Sequence, residues 1–352
     1  MTTILATVIV LGTLVFIHEL GHFLAAKFFG VKVEKFSIGF PPTILSKKVG
    51  ETEYAIGAIP VGGYVRLAGE NPMEEGYEPS DRDLPAKSIG ARVVIISAGS
   101  LMNIVLAFVL FWTVLAFHGM GEISESPVVG GVFQDAPADS AGLMPGDSIV
   151  SVAGVDVSHW SEMSKLVHPR VSQQTEFALV RNDSAFTVVI TPALNTARTD
   201  SGEIAIGLIG IQPGVRYRAM GVFKAIPASF AMFGEIFASI GLFFDRLFSS
   251  GLEKGDVGGP VLIAKMAGMS ARAGWAALLF FMAALSINLA ILNLLPFPVL
   301  DGGHLVYIAI EAIRKKPVSI KAKLVAQQIG FLILFALMIY VTVNDIFFVA
   351  GG

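Results

Sequence analysis

The chain contains no cysteine, which excludes disulfide staples and thiol catalysis and leaves the redox compartment unreadable. Charge is scarce too: charged residues make up 15% of the 352, against roughly 25% in an ordinary soluble domain. With a net charge of −3 there is no basic excess to meet phosphates, so nucleic acid is not expected as a partner. Met1-Thr2-Thr3 carries no basic group, and no small-residue cleavage site precedes the first polar cluster. The opening apolar run therefore reads as a retained membrane span and not a signal peptide.

Apolar residues are abundant, at 54%, and they are concentrated. Residues 4–29, 92–118, 274–295 and 328–348 are each near the twenty or so apolar residues that cross a bilayer. A further apolar stretch, 220–248, is interrupted by Lys224, Pro227, Glu235, Asp245 and Arg246, which suits an interfacial amphipathic helix better than a fifth span. The expected fold is a polytopic α-helical membrane protein with four transmembrane helices. The segments are 1–30, 92–118, 273–304 and 328–350, separated by a membrane-associated β region and loop (31–91), a small α/β module (119–193), a linker with the interfacial helix (194–272) and a short loop (305–327). Lysine and arginine crowd the first and last of these connections, from Lys27 to Arg92 and from Arg314 to Lys323. Both should face the cytoplasm, which leaves the module outside.

His18-Glu19-Leu20-Gly21-His22 lies inside the first apolar run. Ionisable groups at bilayer depth cost about 2.5 to 3.5 kcal/mol each on insertion scales, so such a cluster points to function. On a helix, His18 and His22 stand one turn apart on one face and can reach a common metal ion. Zinc suits imidazole ligands and keeps an open position for water in catalytic sites. Glu19, about 100° round the helix, is placed to act as general base. Pro296 and Pro298 then break the third span ahead of Asp301-Gly302. At membrane depth broken backbone persists only where it is buried in protein or lines a watery cavity, so Asp301 is the candidate third ligand.

Between the first two spans, residues 35–40 and 53–67 read as short strands and 70–87 as a loop. In the module, Val128-Val129-Gly130-Gly131-Val132, Ala136-Pro137-Ala138, Ala141-Gly142-Leu143 and Gly146-Asp147-Ser148-Ile149 resemble the PDZ domain of bacterial proteases. That resemblance implies peptide binding by strand addition along Val128, Val129, Gly130, Gly131 and Val132; the alternative is a degenerate copy that only excludes substrates by size.

The whole chain resembles the site-2 protease family of intramembrane zinc metalloproteases, in its RseP-type bacterial branch. The likeness rests on H-E-x-x-H, on the PDZ insert, on Asn293, Pro296, Pro298, Leu300, Asp301 and Gly302 answering an N-x-x-P-x-P-x-L-D-G motif, and on Ile59-Pro60-Val61-Gly62-Gly63-Tyr64-Val65 and Gly259-Pro260-Val261. It implies one Zn2+ per chain on His18, His22 and Asp301, with Glu19 as base. It also implies substrate contacts from Asn293 and from a β-loop containing Gly62, Gly63, Tyr64 and Val65. Asn103 and Asn293 are candidates to stabilise the oxyanion. Implied partners are transmembrane substrates of the anti-sigma-factor type or signal-peptide remnants, an upstream site-1-type protease, and the lipid of a bacterial inner membrane. The sequence departs from the family at Ser100, where proline is common after Ala98-Gly99, and at Pro41, where glycine is more usual. There is room for a single PDZ domain. Two other classes compete: a PDZ-bearing membrane scaffold with a non-catalytic metal site, and a metal transporter. The first lacks a fourth protein ligand to close its site, and for the second no path of ionisable residues continues to the outer face.

Overall fold

The computed structural model describes residues 1–70, 77–199, 202–249, 251 and 258–350. The expected loop at 70–87 falls partly on 71–76, and the expected linker partly on 200–201, 250 and 252–257, all outside the described residues. The chain divides into two compact units, one of Met1–Phe117 with Gly221–Gly352 and one of His118–Met220.

The first unit opens with α1 (Thr2–Phe28), a hairpin of β1 (Val33–Val49) and β2 (Thr52–Leu67), and α2 (Ile89–Phe117). The strands are longer than expected because the hairpin curls on itself: Lys35, Phe36, Ser37 and Ile38 of β1 pair with two different stretches of β2, one from Glu53 to Ile56 and one from Gly63 to Arg66. Phe40, Ile44, Leu45, Ile56 and Ile59 are left exposed along this sheet. An apolar rim of that kind suits a bilayer better than water.

The inserted unit holds β3 (Met120–Ile123), β4 (Val129–Val132), α3 (Pro137–Ser140), β5 (Ser148–Val152), β6 (Val155–Asp156), α4 (Trp160–Val167), β7 (Thr175–Arg181), β8 (Ser184–Ile190), β9 (Ala193–Thr199), β10 (Gly202–Leu208), β11 (Ile211–Pro213) and β12 (Val215–Arg218). A four-stranded sheet in the order β6-β5-β7-β8 packs Ile149, Val152, Phe177, Leu179 and Ile190 into one core with Val129, Ala138 and Leu143. The boundary expected at 193 moves. β11 pairs with β4 and β12 with β3, so the section from Ala193 to Arg218 closes this unit instead of linking it onward. Asp147 is fully buried and takes both nitrogens of an Arg181 fork at 2.6 and 2.7 Å.

The first unit resumes with α5 (Ala225–Ser249), α6 (Pro260–Ala273), α7 (Trp275–Leu294), α8 (Asp301–Arg314) and α9 (Ile320–Ala350). Among the described residues, five helices are long and apolar enough to cross a membrane, one more than the four counted from the sequence. The extra one is Ala225–Phe243. Lys224 precedes it, Asp245 and Arg246 follow it, Pro227 sits in its first turn, and Glu235 is the one charged residue within it. Met232, Phe233, Ile236 and Ile240 pack this helix on Ala107 and Phe111 of α2 and on Ile287 of α7. A second cluster joins Ala6, Val10 and Leu14 of α1 to Ala267 of α6 and Met282 of α7. Asp345 of α9 is buried and accepts the N–H groups of Gly259 and Leu262, both at 3.0 Å, capping the otherwise unpaired start of α6.

Candidate metal centre

His18 and His22 point from one face of α1 into the protein and are 7% and 9% exposed. The face is buried because α1 crosses α2 at a pair of small residues. A Cβ on Gly21 would collide with Ala98 O, and one on Gly99 would collide with His22 Nε2 and stand 2.8 Å from His18 Nε2. Small residues permit this closeness between membrane helices, where packing drives association.

Asp301 arrives from the other side. The helix α7 stops at Leu294, the section holding Pro296 and Pro298 turns back, and Asp301 opens α8, where an anion faces the positive end of the helix dipole. Glycine is required next: a Cβ on Gly302 would strike Leu295 O and one on Gly303 would strike Phe297 O. Arg92 of α2 grips Glu311 of α8 through two hydrogen bonds of 3.0 and 2.6 Å, which fixes α8 against the helix behind the histidines.

Together these placements bring three ligand atoms to one point. The Nε2 atoms of His18 and His22 are 3.2 Å apart, and Asp301 Oδ2 lies 3.2 Å from the first and 3.4 Å from the second. A tetrahedral zinc site with ligands at about 2.0 to 2.1 Å has edges of about 3.3 Å, so the donors fit one ion between them. Asp301 Oδ2 is also buried without a hydrogen-bond partner among the described residues, a state that a bound cation relieves. His22 is oriented from behind, its Nδ1 donating to Ile95 O at 2.8 Å. The described residues offer this one cluster of three or more metal-ligating side chains.

Glu19 is half-buried beside the cluster, and its Oε2 accepts the Val65 N–H at 3.0 Å. Gly63 is close by: a Cβ there would collide with Ser37 O and stand 3.5 Å from Glu19 Cγ. This edge of β2 therefore runs past the carboxylate. Asn293, in the last turn of α7, puts its amide nitrogen 3.4 Å from His18 Nε2. His18, Glu19, His22, Gly63, Val65, Asn293 and Asp301 are thus brought together. Gly62 is packed against the Phe40 ring, and Tyr64 pairs across the sheet with Ser37. Val128 to Val132 belong to the inserted unit, where β4 is paired with β11 along one side and Val129 exchanges backbone hydrogen bonds with Asp147 and Gly146 on the other. That strand has little free backbone for an added peptide. Outside this cluster, His159 caps α4 and His118 lies against the Tyr217 ring. Sequence reasoning missed Ile95, Gly99 and the Arg92–Glu311 pair. The available signal was Ala98-Gly99, two small residues in a helix otherwise rich in bulky side chains.

The model of Peptidase family M50 matches residues 6–337, and the chain belongs to that family. The resemblance to the site-2 proteases therefore holds over nearly its whole length. The zinc metalloprotease RasP of Geobacillus kaustophilus is 31% identical over 420 residues, covering 98% of this chain and 97% of that one. A provisionally named zinc metalloprotease of Brucella suis is 34% identical over 364 residues, covering 98% and 95%. Another from Campylobacter jejuni is 33% identical over 355 residues, covering 99% and 94%. A solved PDZ domain, from the SdrC-like protein of Listeria monocytogenes, is 22% identical and covers 27% of this chain and 93% of that one, with a TM-score of 0.21, too loose a likeness to define a fold.

Proposed function

We propose that the protein is an intramembrane zinc metalloprotease that hydrolyses a peptide bond within or near a substrate's transmembrane helix. The observation that carries this reading is the three-ligand cluster with a carboxylate one residue along α1 and a strand edge beside it. His18, His22 and Asp301 hold one Zn2+. When bound, the ion supplies a water that is nucleophilic at neutral pH and polarises the scissile carbonyl. Glu19 accepts the proton of the attacking water and returns it to the leaving nitrogen. A helix hides its carbonyls, so the substrate must unwind; the edge of β2 from Gly63 to Val65 receives the freed backbone by strand addition. The Asn293 amide holds the same segment.

Transmembrane proteins of the anti-sigma-factor type, first trimmed by a site-1-type protease, and signal-peptide remnants are the substrates this reading favours. The inserted unit serves as a PDZ domain outside a bacterial inner membrane, and the pairing of β4 favours exclusion of untrimmed substrates over peptide capture there. Four spans are retained. α5 starts beside the end of α2, where Gly221 N–H donates to Ala116 O. α6 is tied to the start of α1 at Thr3 and to the end of α9 at Asp345, so both ends of this section lie on one face. The metal cluster, further along α1, then lies toward the cytoplasmic side.

The test is E19Q. Purified variant should keep a full zinc equivalent while cleavage of a model transmembrane substrate falls by about 10² to 10⁴, and chelation of the wild type should abolish cleavage reversibly. Wild-type turnover by E19Q would refute the base assignment, cleavage that survives zinc removal would refute the metalloprotease reading, and no cleavage by zinc-loaded wild type would favour a scaffold.

A further inference from the structure

His22 has a visible support for its ring, the carbonyl of Ile95. His18 needs one as well. If its Nε2 faces the metal, the neutral imidazole carries its proton on Nδ1, and that N–H is buried and must find an acceptor. The side chain within reach is Asn103 of α2, which is fully buried and whose amide nitrogen lies 3.4 Å from His18 Nδ1. Its amide oxygen is buried without a hydrogen-bond partner among the described residues. The two ends of an amide are alike in shape, and which one faces a neighbour is decided by hydrogen bonding. A half-turn brings the unpaired oxygen to the ring, where it accepts the Nδ1 proton.

We infer that Asn103 is a positioning residue for the zinc site: its amide oxygen accepts the Nδ1–H of His18 and holds that ring in the tautomer and orientation that offer Nε2 to the metal. This rests on the zinc-site reading above and extends it. Ile95, Gly99 and Asn103 are spaced four residues apart on α2, so they form one stripe. Ile95 supports His22, Gly99 leaves room for both rings, and Asn103 supports His18. The main chain of Asn103 is held in turn, since Ser286 of α7 donates to its carbonyl at 2.7 Å. Full burial behind the imidazole also removes Asn103 from the oxyanion role open to it in the sequence, because a substrate oxygen would need to reach it through the His18 ring.

The experiment compares N103L, N103A and N103D with wild type in the intact protein, reading the zinc dissociation constant by competition with a chromophoric chelator on folded, monodisperse material. Loss of a supporting acceptor weakens metal binding by about 10- to 100-fold, and this is expected of both N103L and N103A. N103D restores an acceptor of the same reach and should stay within about threefold of wild type, a rescue that packing alone does not produce. If N103L does not fold, N103A and N103D decide. Wild-type zinc affinity in N103A, or N103D as weak as N103A, overturns the assignment. Weak zinc binding by wild type itself would instead overturn the zinc-site reading.

Discussion

Gly99 has no chemistry of its own, yet the site should tolerate no side chain there, and G99A tests the geometry most sharply. The added methyl would collide with His22 Nε2 and stand 2.8 Å from His18 Nε2, inside the roughly 3.5 to 4.0 Å of good contact between carbons. Something must move. Either the rings turn away from the metal or α1 and α2 separate, and Gly21 pressed on Ala98 O shows that the crossing has no slack. Overpacking of this kind costs about 1 to 3 kcal/mol. If the rings yield, that cost falls on the metal-loaded state, and at about 1.4 kcal/mol per decade zinc affinity should drop roughly 5- to 150-fold. If the helices yield, the same cost appears as lost stability with zinc chelated. Chelator competition and thermal unfolding in excess chelator, on one preparation, separate the two outcomes. A variant with wild-type values in both would refute the packing of Gly99 on the two imidazoles.

The Arg92–Glu311 pair gives a second test: its side chains are 10% and 20% exposed, and removing one partner of such a buried pair costs about 3 to 5 kcal/mol. R92M should therefore be strongly destabilised in detergent unfolding and the double change R92M/E311M should recover most of the loss, whereas equal loss in both would mean that the helices, not the charges, matter. In the inserted unit, the Arg181 guanidinium beside Asp147 holds its carboxyl below the usual carboxylate range. A depressed folded pKa means that the stabilisation is complete above the unfolded value of about 3.9 and is lost as pH falls through the folded one. Hydrogen exchange of β5 and β7 amides in the intact protein, corrected for intrinsic rates, should show protection falling with acid in that range, and D147N should start less protected and lose that dependence.

Some of this molecule is written in local order. A turn of helix places His18 over His22 whatever surrounds them, a run of some twenty apolar residues has no stable home but a bilayer or a core, and Pro296 and Pro298 must end α7, because these effects act within a few residues of the chain. The curl of β1 on β2, by contrast, follows from pairings between distant stretches, and alternation alone could not reveal that Lys35 to Ile38 have two partners. The same holds for the end of the inserted unit, because β11 and β12 are short and gain their identity only by pairing with β4 and β3.

The sequence by itself determined which side chains can hold a metal, since ligand chemistry belongs to residue type and spacing. Tertiary structure alone decided that Asp301 meets the two imidazoles within 3.4 Å, that Val65 turns its N–H to Glu19, and that Ile95, Gly99 and Asn103 stand behind the rings. Those relations join residues tens to hundreds of positions apart, and only the packing of α1, α2, α8 and the β hairpin sets distances between them.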